Sequence, residues 1–170
     1  ENITQICANA FYDCIALKSI KLPNNLNSIE SMSFFHCTSL KKITIPDSTN
    51  TIEHAAFYRC TSLQSITIGN SVKKIGYKVF YKCTSLTTII SLNPTPPEVY
   101  YNNLGVNYDK CTLKIPKGTK NTYTNHEEWS KFKNIEEFEP RNEEVIETIN
   151  KNKNYKIFTP NGQLKYIGND

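Results

Sequence analysis

The chain has little of what catalysis requires. In 170 residues it has three histidines, one tryptophan and one methionine. It contains no His-Glu-x-x-His, no Gly-x-Ser-x-Gly, no glycine-rich phosphate loop and no acidic residues at alternate positions. The metalloprotease, serine-hydrolase, nucleotide and calcium-loop templates are therefore unfilled. There is no Cys-x-x-Cys pair, which structural zinc usually wants. No apolar run approaches the ~18 to 20 residues that cross a bilayer. Charge of one sign is also missing: 20 basic against 16 acidic side chains leave a formal +4, interspersed along the chain. That is too weak and too mixed for the footprint of a nucleic-acid binder. The sequence has no leading methionine and no signal-peptide pattern, and it opens at Glu1 already inside a repeat, so a processed or trimmed piece at the C-terminal end of a longer array is expected.

What is present repeats. Cys14, Cys37, Cys60 and Cys83 stand 23 residues apart. Aligning on them puts Ile6, Ile29, Ile52 and Ile75 in one column and Phe11, Phe34, Phe57 and Phe80 in another. Leu17, Leu40, Leu63 and Leu86 make a third, and Ile20, Ile43, Ile66 and Ile89 a fourth. The unit reads I-x-x-x-A-F-x-x-C-T-S-L-x-x-I-x-I-P. A period of this length is the signature of a solenoid, in which one unit cannot cover its own apolar side and is stable only when stacked on its neighbours. A hydrophobic content of 38% suffices for one such solenoid and a small appendage.

Within each unit, L-x-x-I-x-I spaces its isoleucines two apart, the period of a half-buried strand. Leu40, Ile43 and Ile45 are expected to face inward, Lys42 and Thr44 outward. Pro23, Pro46 and Gly69 end the strand, the prolines because they lack a donor and the glycine by permitting unusual torsions. The chain then crosses back through Ile29, Ile52 or Ile75, and the phenylalanine column anchors a short helical or irregular turn on the far side. The cysteine column, set between an aromatic and Thr-Ser-Leu, behaves as a small buried hydrophobe. Rungs about 5 Å apart do not exclude disulfides between neighbours. An even pairing would treat like rungs differently, which favours free thiols.

These columns resemble the leucine-rich repeat class of BspA-like surface proteins, whose 23-residue unit is I-G-x-x-A-F-x-x-C-T-S-L-x-x-I-x-I-P. Ser33 and Val79 depart from the usual alanine, Met32 sits in the first turn of the second unit, and the glycine after the isoleucine appears only at Gly76. The resemblance implies an α/β solenoid, a right-handed superhelix with a parallel sheet on its concave face, followed by a C-terminal cap and a β-hairpin. The expected division is a four-repeat array over residues 1–92, an irregular terminal repeat and cap over 93–139, and a linker and hairpin over 140–170.

Residues 93–98, N-P-T-P-P-E, break the pattern, since their three prolines exclude helix and central strand. The strand before them places Ser91 at an inward position and marks the end of the regular array. Segment 111–116, C-T-L-K-I-P, has the repeat strand again, 28 rather than 23 residues after Cys83, behind an insertion carrying Tyr100, Tyr101 and Tyr108. It is expected to join the sheet. Residues 122–132 read as one short amphipathic helix with Trp129 and Phe132 on one side. T-P-P-E-V, then T-L-K-I-P-K-G-T, then Y-x-x-x-x-x-W-x-x-F-x-N-I resembles the C-terminal cap of BspA-like proteins of Bacteroidetes. That makes Trp129 a plug over the last rung. His126 has no nucleophile beside it and is expected to be exposed. Glu127-Glu128 and Glu136-Glu137 read as solvated charge. Beyond the charged stretch 143–153, two alternating runs around Pro160-Asn161-Gly162 signal a hairpin. The phrase I-F-T-P-N-G-Q-L also resembles the start of a sorting segment of secreted Bacteroidetes proteins.

No catalytic residue, metal ligand or cofactor motif stands out, so the candidates are the variable outward positions. They are Ser19, Lys21, Lys42, Thr44, Ser65, Thr67, Thr88 and Ile90, with Lys18, Lys41, Gln64 and Thr87 at the adjoining edge. The stripe is basic on the first rungs and rich in hydroxyls on the later ones. Taken singly, each residue also fits a solvated β-face. Stacking aromatics are absent from the stripe, whereas Tyr100, Tyr101 and Tyr108 offer a sugar platform beside the cap. The resemblance implies a non-catalytic module, secreted or at the cell surface, that adheres to host matrix or other surface proteins. The alternative is a scaffold or spacer that presents another module. Phe57→Ala should cost about 3 to 5 kcal/mol and Lys42→Ala under about 0.5 kcal/mol. Equal melting temperatures for the two variants would overturn the inward and outward assignment.

Overall fold

A computed structural model describes residues 3–139, 156–158 and 164–166, and the chain divides into two compact units, Glu1–Glu139 and Pro140–Asp170. In the first unit the strands are β1 (Gln5–Ile6), β2 (Ser28–Ile29), β3 (Lys42–Thr44), β4 (Thr51–Ile52), β5 (Ser65–Ile68), β6 (Lys74–Ile75), β7 (Thr88–Ser91), β8 (Glu98–Val99), β9 (Thr112–Pro116) and β10 (Asn134–Phe138). They form two parallel sheets, β1-β2-β4-β6-β8 and β3-β5-β7-β9-β10. The second unit contains an antiparallel pair, β11 (Lys156–Phe158) with β12 (Leu164–Tyr166), in the register Ile157 to Lys165 expected of the hairpin. The turn 160–162, the charged stretch 143–153 and most of the sorting-like phrase lie outside the described residues.

Register repeats from rung to rung. Ile29 pairs with Ile52 and Ile52 with Ile75 in the short sheet, while Ile43 pairs with Ile66 and Ile66 with Ile89 in the long one. The crossing column therefore forms a second sheet of two-residue strands rather than a plain connection. β9 continues the long sheet as expected, pairing with β7 at Ile89 and Leu113. Residues 134–138 add one more strand, β10, which reading the segment as the tail of a helix had missed. On the first rung, residues 17–22 are outside the sheet, and Lys18 is linked to the next rung through its carbonyl, which accepts from Lys41 N–H at 3.4 Å.

The phenylalanine turns are irregular rather than helical, for a reason visible in the backbone. Successive N–H groups there alternate in their partners. Ala56, Tyr58 and Cys60 donate to the carbonyls three residues back, at 3.0 to 3.3 Å, while Ala55, Phe57 and Arg59 donate to Tyr77, Val79 and Tyr81 on the next rung, at 2.9 to 3.1 Å. A helix would direct every N–H along its own axis and leave none for the neighbouring rung. The alternation requires left-handed residues at two columns: Asn9, Met32, Ala55, Lys78 and Tyr101, then Asp13, His36, Arg59 and Lys82, with φ between 54° and 62°. None of these is glycine. Each non-glycine residue in that region costs on the order of 1 to 2 kcal/mol, which the additional ladder of bonds must offset.

The core holds the columns in stacks. Phe11, Phe34, Phe57 and Phe80 lie ring on ring at 5.0, 5.2 and 6.0 Å. Burial of the aliphatic columns is complete from the second rung onward, whereas Phe11, Cys14, Leu17 and Ile20, with a neighbouring rung on one side only, are partly buried. The cysteines are free thiols, and those of the inner rungs do more than fill space. Sγ of Cys37, Cys60 and Cys83 donates to the carbonyl of Phe11, Phe34 and Phe57 on the preceding rung at 3.2, 3.1 and 3.0 Å. Ser33, in the alanine column, has a buried hydroxyl with no partner. Gly69 is not in the left-handed region; a Cβ there would lie 2.3 Å from the Pro46 carbonyl oxygen, so close approach of the rungs, not torsion, selects it.

Ala55 and Ala56 are both buried, but only Ala55 has positive φ. Removing either methyl forfeits about 0.8 kcal/mol of burial and adds about 0.5 to 1 kcal/mol of chain entropy. At Ala55 the relief of left-handed strain offsets this. Ala55→Gly should be nearly neutral and Ala56→Gly should cost about 1 to 2 kcal/mol, measured by urea denaturation. Equal losses would contradict the alternating turn.

Candidate functional site

The stripe expected from sequence falls on one face of the long sheet. Lys42, Ser65 and Thr88 are cross-strand partners, as are Thr44, Thr67 and Ile90. Lys41, Gln64 and Thr87 stand just before their strands and are exposed, tied by Gln64 N–H to Lys41 O at 2.8 Å and Thr87 N–H to Gln64 O at 3.1 Å. Lys18, Ser19 and Lys21 are exposed but precede the first paired strand, so they extend the stripe without belonging to the sheet. Lys42 and Thr44 are exposed, whereas Ser65, Thr67, Thr88 and Ile90 are half-buried, having a strand on each side. A shallow depression of about 380 Å³ lies within the basic part, bordered by Lys21, Lys42 and Thr44.

The cap differs more from expectation. Residues 122–132 do not form one helix; α1 (Lys120–Thr124) is followed by a separate single turn of 3-10 helix at Trp129–Lys131. The break lets Tyr123 and Trp129 both enter the core. Trp129 is fully buried, stacks on Phe132 at 6.0 Å and donates from Nε1 to the Pro97 carbonyl at 2.8 Å. It is the plug over the last rung. Ser91, the polar residue at an inward strand position, meets the Tyr123 hydroxyl at 2.6 Å, which in turn donates to the Asn93 carbonyl at 2.8 Å. Burial holds the Tyr123 phenol up at about 12, so it remains a donor at any physiological pH.

Two cap residues read as solvated are not. Glu128 is fully buried: Oε1 accepts from Leu104 N–H at 2.6 Å and from the Tyr108 hydroxyl, and Oε2 accepts from Lys131 Nζ at 2.6 Å. His126 is mostly buried; its Nδ1 accepts from Glu128 N–H at 3.2 Å, and Nε2 lies 3.7 Å from Glu98. With both oxygens of Glu128 committed, the cluster orders the insertion and offers no free base. Tyr108 is thereby turned inward, leaving Tyr100 and Tyr101, the latter 85% exposed, as the surface remnant of the expected tyrosine platform. Cys111 is pushed up to about 11 by burial, so its thiolate is scarce at neutral pH. Among the described residues, no cluster of three or more metal-ligating side chains occurs and no helix is long and apolar enough to cross a membrane.

One feature readable in the sequence had been overlooked. The residue after each core phenylalanine is also aromatic, and Tyr12, Phe35, Tyr58 and Tyr81 stack outside the core at 4.8, 4.9 and 5.2 Å. Lys78 and Lys82 bring their ammonium groups to 5.0 and 5.8 Å from the Tyr81 ring.

Stacked parallel rungs of fixed length, closed by an aromatic plug, define a leucine-rich repeat β-solenoid with very little helix. The chain belongs to the BspA-type leucine-rich repeat family, whose model matches six copies of the repeat over residues 4–103. Among solved structures it is similar to a leucine-rich repeat protein of T. pallidum, at 28% identity and a TM-score of 0.56 over 66% of this chain and 51% of that one. A leucine-rich repeat protein from Bacteroides ovatus gives 28% identity and 0.58 over 67% and 28%. The pneumococcal vaccine antigen PcpA shares the fold, at 21% identity and 0.60 over 80% and 34%. The chain thus spans about half, or less, of each of these proteins. No curated protein sequence matches it.

Glu128→Ala would leave the Tyr108 hydroxyl and the Leu104 N–H without their acceptor. It should cost about 2 to 4 kcal/mol by denaturant unfolding, and Glu128→Gln, which keeps an acceptor, clearly less. A loss under about 0.5 kcal/mol for the alanine variant would mean that the carboxylate is solvated after all.

Proposed function

We propose that this chain is a non-catalytic protein-binding module, secreted or displayed at the cell surface, and that it takes adhesion partners on the outward face of the long sheet. The carrying observation is the register: Lys42, Ser65 and Thr88 in one row and Thr44, Thr67 and Ile90 in the next share a face, while the packing columns lie behind them. On a solenoid such positions can vary without disturbing the core, which suits an extended recognition surface. Lys18, Lys21, Lys41 and Lys42 give one end of it a positive field, interrupted by the depression at Lys21 and Lys42, and so favour acidic patches on a partner. Host matrix proteins and other surface proteins are the partner class in view. Membership of the BspA-type family supports a protein-interaction role.

The second reading is a spacer that presents another module. Its supporting observation is the separate compact unit Pro140–Asp170. Surface plasmon resonance against immobilised collagen, laminin and fibronectin tests both. Replacing Lys18, Lys21, Lys41 and Lys42 by glutamate should weaken a wild-type interaction by about tenfold or more, with unchanged circular dichroism. Undiminished binding by the folded variant would remove the sheet face as the site, and absence of any wild-type binding would favour the spacer.

A further inference from the structure

The outer aromatic ladder stops at Tyr81, and a cleft begins there. One period after Tyr81 the chain has Leu104, which is fully buried, so no ring follows and Tyr81 has an aromatic neighbour on one side only among the described residues. Gly105, at φ 81°, packs against the Tyr81 backbone, where a Cβ would come within 2.9 Å of Tyr81 Cα. The longer rung then swings outward before returning at Cys111. Between the departing loop and the fourth turn lies an open cleft of about 760 Å³, within the range of small-molecule sites.

Its lining is strongly biased in charge. Lys82, Lys110, Lys131 and Lys133 border it, against Asp109 and the buried Glu128 that pairs with Lys131. A net positive charge therefore remains around an aromatic wall made by Tyr81 and Tyr108, with Thr84 and Thr87 supplying hydroxyls. Lysines at the rim, an apolar ring surface and neutral hydrogen-bonding groups inside are complementary to a ring-shaped, hydroxylated anion. An acidic peptide is disfavoured by the neighbouring free edge of the long sheet. β10, where an extended strand could add, starts just after Lys133 and carries Glu136 and Glu137, which repel acidic side chains.

We propose that the cleft between the Tyr81 turn and the 105–110 loop binds a short acidic oligosaccharide bearing sulfate or carboxylate groups. This site is separate from the sheet-face surface, although the cleft reaches the edge of that stripe at Thr87. The lysines fix the anionic groups and set a salt-dependent affinity, while Tyr81 and Tyr108 present the apolar wall against which the sugar ring lies.

Isothermal titration calorimetry on the full chain tests this with four probes: a sulfated heparin-derived tetrasaccharide, neutral chitotetraose, a tetraglutamate peptide and sodium sulfate. The sulfated sugar should bind, and weaken as salt rises. Lys110→Glu with Lys133→Glu should reduce its affinity by about tenfold or more. Tyr81→Leu, which keeps an apolar filler under Tyr58, should reduce it several-fold. Lys18→Glu with Lys41→Glu on the sheet face should leave it unchanged, which separates failure of this site from failure of that surface. The exposed lysine variants are expected to fold normally, so loss of binding in them reports the site. Equal binding of chitotetraose, tetraglutamate or sulfate alone would overturn the proposal, as would an equal loss in the sheet-face variant or no binding of the sulfated sugar.

Discussion

Each rung of this solenoid is held to the next by its own backbone at three separate places. The short sheet, the long sheet and the alternating N–H groups of the turns all pair like with like at a spacing of 23 residues. That constraint dictates the rest. Because backbones align, side chains of one column must stack, and only residues that stack well on themselves are tolerated inside: isoleucine, leucine, phenylalanine, and a thiol that can donate to the carbonyl behind it. The same alignment forces nine non-glycine residues into the left-handed region, a strain the turns sustain because giving it up would strip a bond from every rung. A change of length in one rung therefore cannot be absorbed locally. It must be carried to the end of the array, where the 28-residue step before Cys111 is found.

That end is where polar residues enter the core. Ser91 would be a defect in the middle of the array, yet against the cap it meets the Tyr123 hydroxyl, and Asn93 ties the proline segment to the Val72 carbonyl at 2.9 Å. Glu128 goes further by burying a charge, which is tolerable because an ammonium, a phenol and a backbone amide converge on it. Its partners also explain why the insertion has a defined course: Leu104 and Tyr108 are held from one point, so the chain between them must bulge outward. The charges on β10 serve a different purpose, since Glu136 pairs with Lys114 at 2.9 Å and the acidic edge discourages a further strand.

The columns made the solenoid, the inward isoleucines and the Trp129 plug legible in the sequence, because packing repeated at a fixed spacing leaves a periodic trace. What was not legible has no such trace. Two-residue strands such as β4 are too short for a period of two to show, so the crossing column read as a connection. The left-handed positions carry Met32, Ala55, Lys78 and Arg59, whose side chains say nothing of φ; only Asn9, Asp13 and His36 are types that favour it. Glu128 looked solvated because its partners lie three, twenty and twenty-four residues away. The outer ladder of Tyr12, Phe35, Tyr58 and Tyr81 was in plain view, but attention to the core phenylalanine beside it hid the column. For the candidate surface, sequence placed Lys42 and Thr44 outward correctly, but could not show that Lys18 and Lys21 precede the first paired strand.

A solenoid separates the residues that hold it together from those that meet other molecules, and the degree of separation differs between its faces. On the long sheet, outward side chains stand on strands paired on both sides, so Ser65 and Thr88 are half-buried and presented on a fixed lattice; partners there meet a surface that is broad, regular and shallow. Around Tyr81 the lattice is interrupted. A buried carboxylate fixes one wall, a terminated ring stack forms another, and lysines from the turn, the loop and the segment before β10 converge from three stretches of sequence. Concavity, charge of one sign and an aromatic wall coincide only where the repeat is broken. Regular rungs favour binding by area, and the interrupted one favours binding by enclosure, so a small, chemically specific ligand belongs at the break rather than along the array.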